Sequence, residues 1–325
     1  MKKALLISAG ILSSLLLILP LVWSFGLWCY QPVSIIPAAL LLTGAAWWWW
    51  WKRSRPSLHL VLWLLVLVGI TTYLLIPGPA PAAWQKPWAV APEFIQNGDM
   101  LTIRNIRDFR YRTEEDSDAR YRTETYDLNS LVGVDFAECH WDGMTSICHT
   151  MLSFRFADGR SFAVSAETRV PEGEEQGAIP GLYKRFGILY LFGTEEDIYG
   201  LRTNIRHEDL SIYPLNIKKT GARKLLQHYI DLARDAEATH RAYNTISGNC
   251  STGLVSGFRA LVPHMARKYD FLPLHNGSIA GLLIGYGAVQ HAPGETAEQI
   301  RQRCYVGYDI PLENYSENLR RKIEK

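Results

Sequence analysis

His149-Thr-Met-Leu-Ser-Phe-Arg-Phe156 leads into Ala157-Asp-Gly159 and returns as Arg160-Ser-Phe-Ala-Val-Ser-Ala-Glu-Thr-Arg169. Leu152, Phe154 and Phe156 alternate with Met151, Ser153 and Arg155. After the Asp-Gly turn, Phe162, Val164 and Ala166 alternate with Ala163, Ser165 and Glu167. A period of two on both sides of such a turn predicts a β-hairpin over 147–169. If the apolar stripes share a face, the numbers of cross-strand partners must sum to an even number. A three-residue loop at Ala157-Asp-Gly159, with glycine in the left-handed position, gives that parity. His149 then lies across from Glu167, with Arg169 diagonal to it. A slip of one residue would destroy the arrangement.

A second stretch gives the histidine a partner. Asn249-Cys250-Ser251-Thr252 follows a short loop and opens a helix-like run over 254–262 that stops at Pro263. A cysteine in the first turn of a helix feels unpaired amides and the positive end of the dipole, which favour its thiolate. A thiolate beside a general base is an acyl-transfer nucleophile, and the base needs a third group to fix its tautomer. The reading is Cys250 as nucleophile, His149 as base and Glu167 as orienter. The amides of Cys250 and Ser251 are candidate oxyanion donors. A histidine on a strand and a cysteine at a helix start follow the spatial logic of papain-like enzymes in permuted order. The expected fold class is α+β. The bland alternative is a small buried cysteine that only packs.

Cys139-His140 and Cys148-His149 repeat a pair of soft ligands nine residues apart. Neighbours in an extended chain point to opposite sides, and no CxxC spacing is present, so neither a metal nor another cofactor is expected. A Cys139–Cys148 disulfide or two plain core thiols both remain open. There is no GxSxG elbow, Walker loop or HExxH.

Residues 4–25, 33–51 and 57–77 are long apolar runs, each near the ~20 residues needed to cross a bilayer. Lys2 and Lys3 precede the first, and Lys52, Arg53 and Arg55 separate the second from the third. The positive-inside rule puts the N-terminus in the cytoplasm and everything after Pro77 outside, in the periplasm of a Gram-negative cell. Trp47 to Trp51 suit an interfacial belt. The expected organisation is a membrane anchor of three helices over 1–77, a proline-rich spacer over 78–98 and a folded domain over 99–325. The 325 residues carry 34 Lys and Arg against 32 Asp and Glu, a net charge of +2 that argues against nucleic acid.

Within the folded part, strands are expected at 100–106, 187–192 and 210–215, with a strand or turn at 126–135. Thr220 is placed as the cap of a helix running to Ala238, and further helices at 278–286 and 295–304. Arg107, Arg110, Arg112, Arg120 and Arg122 face Glu114, Glu115, Asp116 and Asp118 in what reads as a solvated loop or edge strand. Facing a membrane, the same arginines could touch lipid phosphates. Residues 313–325 read as a solvated amphipathic tail.

Several ordered motifs resemble a known family: 107–113, then 149–154 with Asp158, Gly159 and 165–169. Tyr190 follows, with Glu195, Glu196 and Asp197, then Leu201-Arg-Thr-Asn204, Tyr243-Asn-Thr245 and Asn249-Cys250. They resemble the Lnb N-terminal periplasmic domain family of bacterial membrane proteins. The resemblance implies a papain-like thiol fold and, from the characterised branch, an N-acyltransferase. Such an enzyme moves an acyl chain from phospholipid to the N-terminus of a lipoprotein through a thioester, here on Cys250 with His149 as base. Arg169, Arg202, Asn249 and Ser251 are then expected to contact substrate. That branch carries its membrane helices after the domain, whereas this chain carries them before it. The alternatives are a thiol peptidase or amidase of cell-wall peptides, and a non-catalytic envelope scaffold using the 107–122 segment.

Overall fold

The structure, a computed structural model, describes residues 2–52, 57–81, 83–141, 143–261 and 276–323, with side chains from Leu15 onward, Ala260 excepted. Of the turn expected at 272–277 only Asn276 and Gly277 are described, and His264 and His275 lie outside the described residues. The hairpin forms in the expected register, with Met151 opposite Ser165 and Phe154 opposite Phe162. Phe156 N donates to Arg160 O at 2.9 Å, and Gly159 takes a φ of +84°, which closes a three-residue loop. These two strands are β7 (His149–Phe156) and β8 (Ser161–Arg169).

The other strands are β1 (Glu93–Asn97), β2 (Met100–Arg107), β3 (Arg110–Tyr111), β4 (Ser117–Asp118), β5 (Tyr121–Asp127), β6 (Leu131–His140), β9 (Gly187–Gly193), β10 (Asp209–Pro214) and β11 (Tyr305–Gly307). Among the described residues nine of them make one mixed sheet in the order β1-β2-β9-β8-β7-β6-β10-β11, with β5 also on β2. Only β2 against β9 is parallel. The short β3 and β4 pair with each other.

The helices are α1 (Lys2–Tyr30), α2 (Ile35–Lys52), α3 (Leu58–Leu75), α4 (Glu195–Ile198), α5 (Lys219–Ala238), α6 (Cys250–Leu261), α7 (Ile279–Gly285), α8 (Ala297–Cys304) and α9 (Tyr315–Ile323). Both faces of the sheet are covered. Phe154, Phe162, Val164 and Tyr190 pack with Leu225, Tyr229 and Leu254 of α5 and α6. On the other face Met151, Ala163 and Leu191 pack with Ile198 of α4 and with Tyr315, Leu319 and Ile323 of α9. A one-residue slip would drive Ser153, Arg155 and Glu167 into the first core. Each large apolar side chain lost from it costs roughly 2 kcal/mol, so a few of them exceed the ~5–15 kcal/mol stability of a domain. That locks the register that sets His149 against Glu167.

Several expectations change. Among the described residues two stretches, Pro32–Lys52 and Leu58–Leu75, are long and apolar enough to cross a membrane, not three. Of α1 the side chains are described over Leu15–Tyr30, an apolar stretch shorter than those two. Its end docks on the folded domain: Tyr30 stacks on Tyr183 with ring centroids 5.2 Å apart, and Gln31 Nε2 donates to Tyr183 O at 2.9 Å. The 78–98 segment is no free spacer. Gln85 N donates to Val170 O at 3.0 Å, Arg169 donates to the carbonyls of Trp88 and Ala89, and β1 joins the sheet before residue 99. The helix α5 starts at Lys219 with no side-chain cap, so Thr220 lies inside it.

The 107–122 segment is self-neutralised rather than a free basic surface. Arg107 is buried against Asp197 at 2.7 Å, and Arg110, Arg112, Arg120 and Arg122 all pair with acidic side chains. The C-terminal tail is a packed helix. Arg320 of α9 reaches under the sheet to pair with the fully buried carboxylates of Glu195 and Asp135.

Candidate active site

The site is assembled where β7 begins, beside the first turn of α6. Asn249 caps that helix: its Oδ1 accepts from Ser251 N at 3.0 Å and Thr252 N at 3.1 Å. The cap satisfies two of the otherwise unpaired amides of the first turn. It also fixes Cys250 at the helix start. The buried Asn276 ties this turn to the strand. Its Nδ2 donates to Ser251 Oγ at 2.8 Å and to Cys148 O, and its Oδ1 accepts from Cys148 N at 2.8 Å. One amide side chain thus holds the residue after Cys250 and the residue before His149 in a fixed relation.

Cys250 is half-buried, its Sγ is 3.7 Å from Ser251 Oγ, and it lies close enough to His149 for the two charges to act on each other. The other side of the imidazole is committed. His149 Nε2 lies 2.6 Å from Ser165 Oγ and 3.3 Å from Glu167 Oε1, and Ser165 Oγ donates to Glu167 Oε1 at 2.5 Å. With the serine hydrogen given to Glu167, Nε2–H is the donor to Ser165 Oγ. That leaves Nδ1 as the nitrogen for the thiol. Behind Glu167, Arg202 NH2 stands 3.3 Å from the same Oε1, and its NH1 donates to Glu208 at 3.2 Å.

The charges follow from these contacts. Burial disfavours a Cys250 thiolate, but the His149 charge and the nearby donors of His149 and Thr150 outweigh it and pull the thiol down to about 6. Burial and the Arg202 charge oppose a protonated His149, yet Glu167 and Cys250 prevail and raise it to about 9. Against its own burial, Glu167 is held well below the ordinary carboxylate range by His149, Arg202 and Ser165. At neutral pH the resting pair is therefore a thiolate facing an imidazolium. That state is poised for nucleophilic attack on a carbonyl carbon.

The structure brings Cys250, His149 and Glu167 together. It does not present the four residues expected to contact substrate. Arg169 and Arg202 are each 6% exposed, Asn249 is 6% exposed and Ser251 is fully buried. Arg169 clamps 78–98 and Glu237, Arg202 backs Glu167, and Asn249 and Ser251 build the helix start. Ser251 N–H is spent on the cap, so it is not free to serve an oxyanion. These side chains are internal because Arg202 carries charge that offsets the Glu167 carboxylate, Arg169 is held by the Trp88 and Ala89 carbonyls, and Asn249 and Ser251 satisfy backbone or side-chain donors.

Sequence reasoning missed Thr150, Ser165 and Asn276. Ser165 was within reach, since the hairpin parity puts it on the same face as His149 and Glu167. Asn276 had no local signal. The four-ligand zinc arrangement does not form: Cys139 opposes His149 on one face of β6 and β7, while His140 and Cys148 point to the other. Cys139 and Cys148 are free, buried thiols rather than a disulfide.

Cys250, His149 and Glu167 thus lie together at a helix start beside a mixed sheet, a thiol with an imidazole and a carboxylate behind it. Residues 117–276, which hold all of these side chains, match the family model described as the Lnb N-terminal periplasmic domain, and this part of the chain belongs to that family. No curated protein and no solved structure matches the chain. A periplasmic domain joined to two helices of spanning length makes this a membrane-associated envelope protein.

Proposed function

We propose that the protein is a membrane-anchored cysteine acyltransferase that carries an acyl chain as a thioester on Cys250. The observation that supports it is the thiolate–imidazolium pair, with Cys250 pulled down to about 6 beside a His149 raised to about 9. In the first step the Cys250 thiolate attacks the ester carbonyl of a phospholipid. The carbon–oxygen bond breaks, the thioester forms, and the His149 imidazolium gives its proton to the departing lysophospholipid oxygen. In the second step a lipoprotein α-amine attacks the thioester. His149, now neutral, takes the amine proton, the carbon–sulfur bond breaks, and an amide leaves with Cys250 restored as thiolate. The histidine returns to imidazolium, so protons balance over the cycle.

The arrangement of parts supports this chemistry, with a nucleophile at a helix start and a histidine on a strand backed by a carboxylate. So does the tether, which keeps the thiol near lipid-borne donors and acceptors. The domain faces the periplasm of the inner membrane, with the N-terminus in the cytoplasm. A peptidase or amidase would use the same pair with water as acceptor. Intact-protein mass spectrometry of the full chain in detergent with phospholipid tests the reading. The expected result is one acyl-mass adduct, removed by hydroxylamine and absent in Cys250→Ser. No adduct on the wild-type chain, or an adduct that persists in Cys250→Ser, contradicts it.

A further inference from the structure

Beside the thiol site, β6 and β7 bring together three donors that the chemistry above does not use. Glu138 and His140 share a face of β6, and Cys148 directly precedes β7. A carboxylate oxygen, a ring nitrogen and the sulfur of these residues all lie within 4.8 Å of one another. Glu138 is 5% exposed and Cys148 1% exposed. Glu138 Oε1 accepts from Tyr213 OH at 3.0 Å, but its Oε2 is buried with no hydrogen-bond partner. A buried carboxylate oxygen left without a partner is costly and calls for an explanation.

The histidine is oriented as a ligand. His140 Nδ1 lies 3.1 Å from Met144 O, and Nε2 lies 3.6 Å from Glu138 Oε1. A carbonyl can only accept, so the hydrogen on Nδ1 is committed to Met144. Nε2, 3.6 Å from Glu138 Oε1, is then the nitrogen a cation would take, displacing any proton it shares with the carboxylate. An outer carbonyl that fixes the tautomer of an imidazole is the usual support of a metal-binding histidine.

We propose that Glu138, His140 and Cys148 form a binding site for a zinc-class divalent cation. One sulfur, one imidazole nitrogen and one carboxylate oxygen match the borderline-soft preference of zinc, whereas calcium and magnesium select oxygen alone. Three protein donors leave a fourth tetrahedral position for water. Binding replaces the Cys148 S–H bond with a sulfur–metal bond and releases that proton to solvent. Thiolate and carboxylate together balance the two positive charges, and the cation supplies the missing partner of Glu138 Oε2. The donors must close to roughly 3.5 Å apart for a tetrahedral shell. The His140 ring, the least buried of the three, is the member that would shift, together with the Met144 carbonyl that holds it. His149, the next residue after Cys148, points to the opposite face of the strand, but Cys148 lies close enough to Cys250 to feel its charge, so this site adjoins the thiol pair without sharing its residues.

Cobalt(II) is the probe, titrated into the full chain in detergent carrying Cys250→Ala, which removes the other reactive thiol. The expected result is a near-ultraviolet thiolate-to-cobalt band that saturates at about one equivalent and is displaced by zinc. It should vanish in Cys148→Ala, and cobalt affinity should fall at least about 100-fold in His140→Gln. Where Cys148→Ala does not fold, the partly exposed His140→Gln decides on the same band. The absence of a saturable band, its persistence in Cys148→Ala, or unchanged affinity in His140→Gln overturns the proposal. A plain His140–Glu138 ion pair gives the first of these outcomes.

Discussion

Replacing His149 by alanine is expected to lower the rate of thioester formation by about 10⁴-fold or more while leaving the fold intact. Two losses combine. Without the imidazolium, the burial that already opposes the thiolate is countered only by Thr150, and the thiol returns to or above its ordinary value of ~8.5. At pH 7 the thiolate fraction then falls from about nine-tenths to a few hundredths. The second loss is the acid that protonates the departing oxygen, which carries the larger part of the effect. Rapid-quench mass spectrometry of the Cys250 adduct reads the rate, and thermal unfolding checks the fold. A variant that retains its rate within about tenfold would show that another group acts as the base.

The largest structural effect is expected far from the thiol. Arg320→Met should destabilise the folded domain by about 3–5 kcal/mol, because removing one partner leaves buried charge uncompensated. Glu195 and Asp135 are both fully buried and both lean on this guanidinium. Glu195 keeps hydrogen bonds from Ser153 and from Ser161, the latter at 2.9 Å, and Asp135 keeps Arg155 at 3.0 Å. Neither substitute restores a full opposite charge to both. For a domain of this size the loss corresponds to a drop in Tm of about 10 °C. It should come with earlier proteolysis between α8 and α9, because Arg320 pins α9 to the sheet. A change in Tm below about 2 °C would mean that the C-terminal helix is held by Tyr315, Leu319 and Ile323 alone.

That helix also marks a limit of sequence reading. Its apolar positions are few and its charges many, so local composition resembles a solvated tail. Its docking depends on carboxylates that lie more than a hundred residues earlier in the chain. The same limit applies to Arg107, Arg169 and Arg202. A charge-dense segment does not reveal which members are buried, because the partner that makes burial tolerable comes from a distant element. Periodicity, by contrast, gave the hairpin correctly, since alternation and the Asp-Gly turn are both local. Parity then gave the His149–Glu167 opposition. The meeting with Cys250 rested on a helix start legible from Asn249 and Pro263, but its orientation comes from Asn276, a tertiary contact without a local signature. The anchor was read from apolar length and flanking charge, and neither reveals that the end of the first helix also docks on the domain.

The charge state of Cys250 in the resting protein can be read directly from the pH dependence of its alkylation. The full chain is treated briefly with iodoacetamide across pH 4–10, and each cysteine is followed by peptide mass spectrometry. Below about 6 the thiol holds its proton and is slow, and between about 6 and 9 a thiolate faces an imidazolium. Above about 9 the imidazolium loses its proton and the thiolate loses its partner. Cys139, Cys148 and Cys304 are buried and serve as internal controls, with burial raising each thiol. The predicted result is a rise in Cys250 alkylation with a midpoint near pH 6 that moves above pH 8 in His149→Ala. A wild-type midpoint above pH 8, unchanged by that substitution, would contradict the existence of the ion pair.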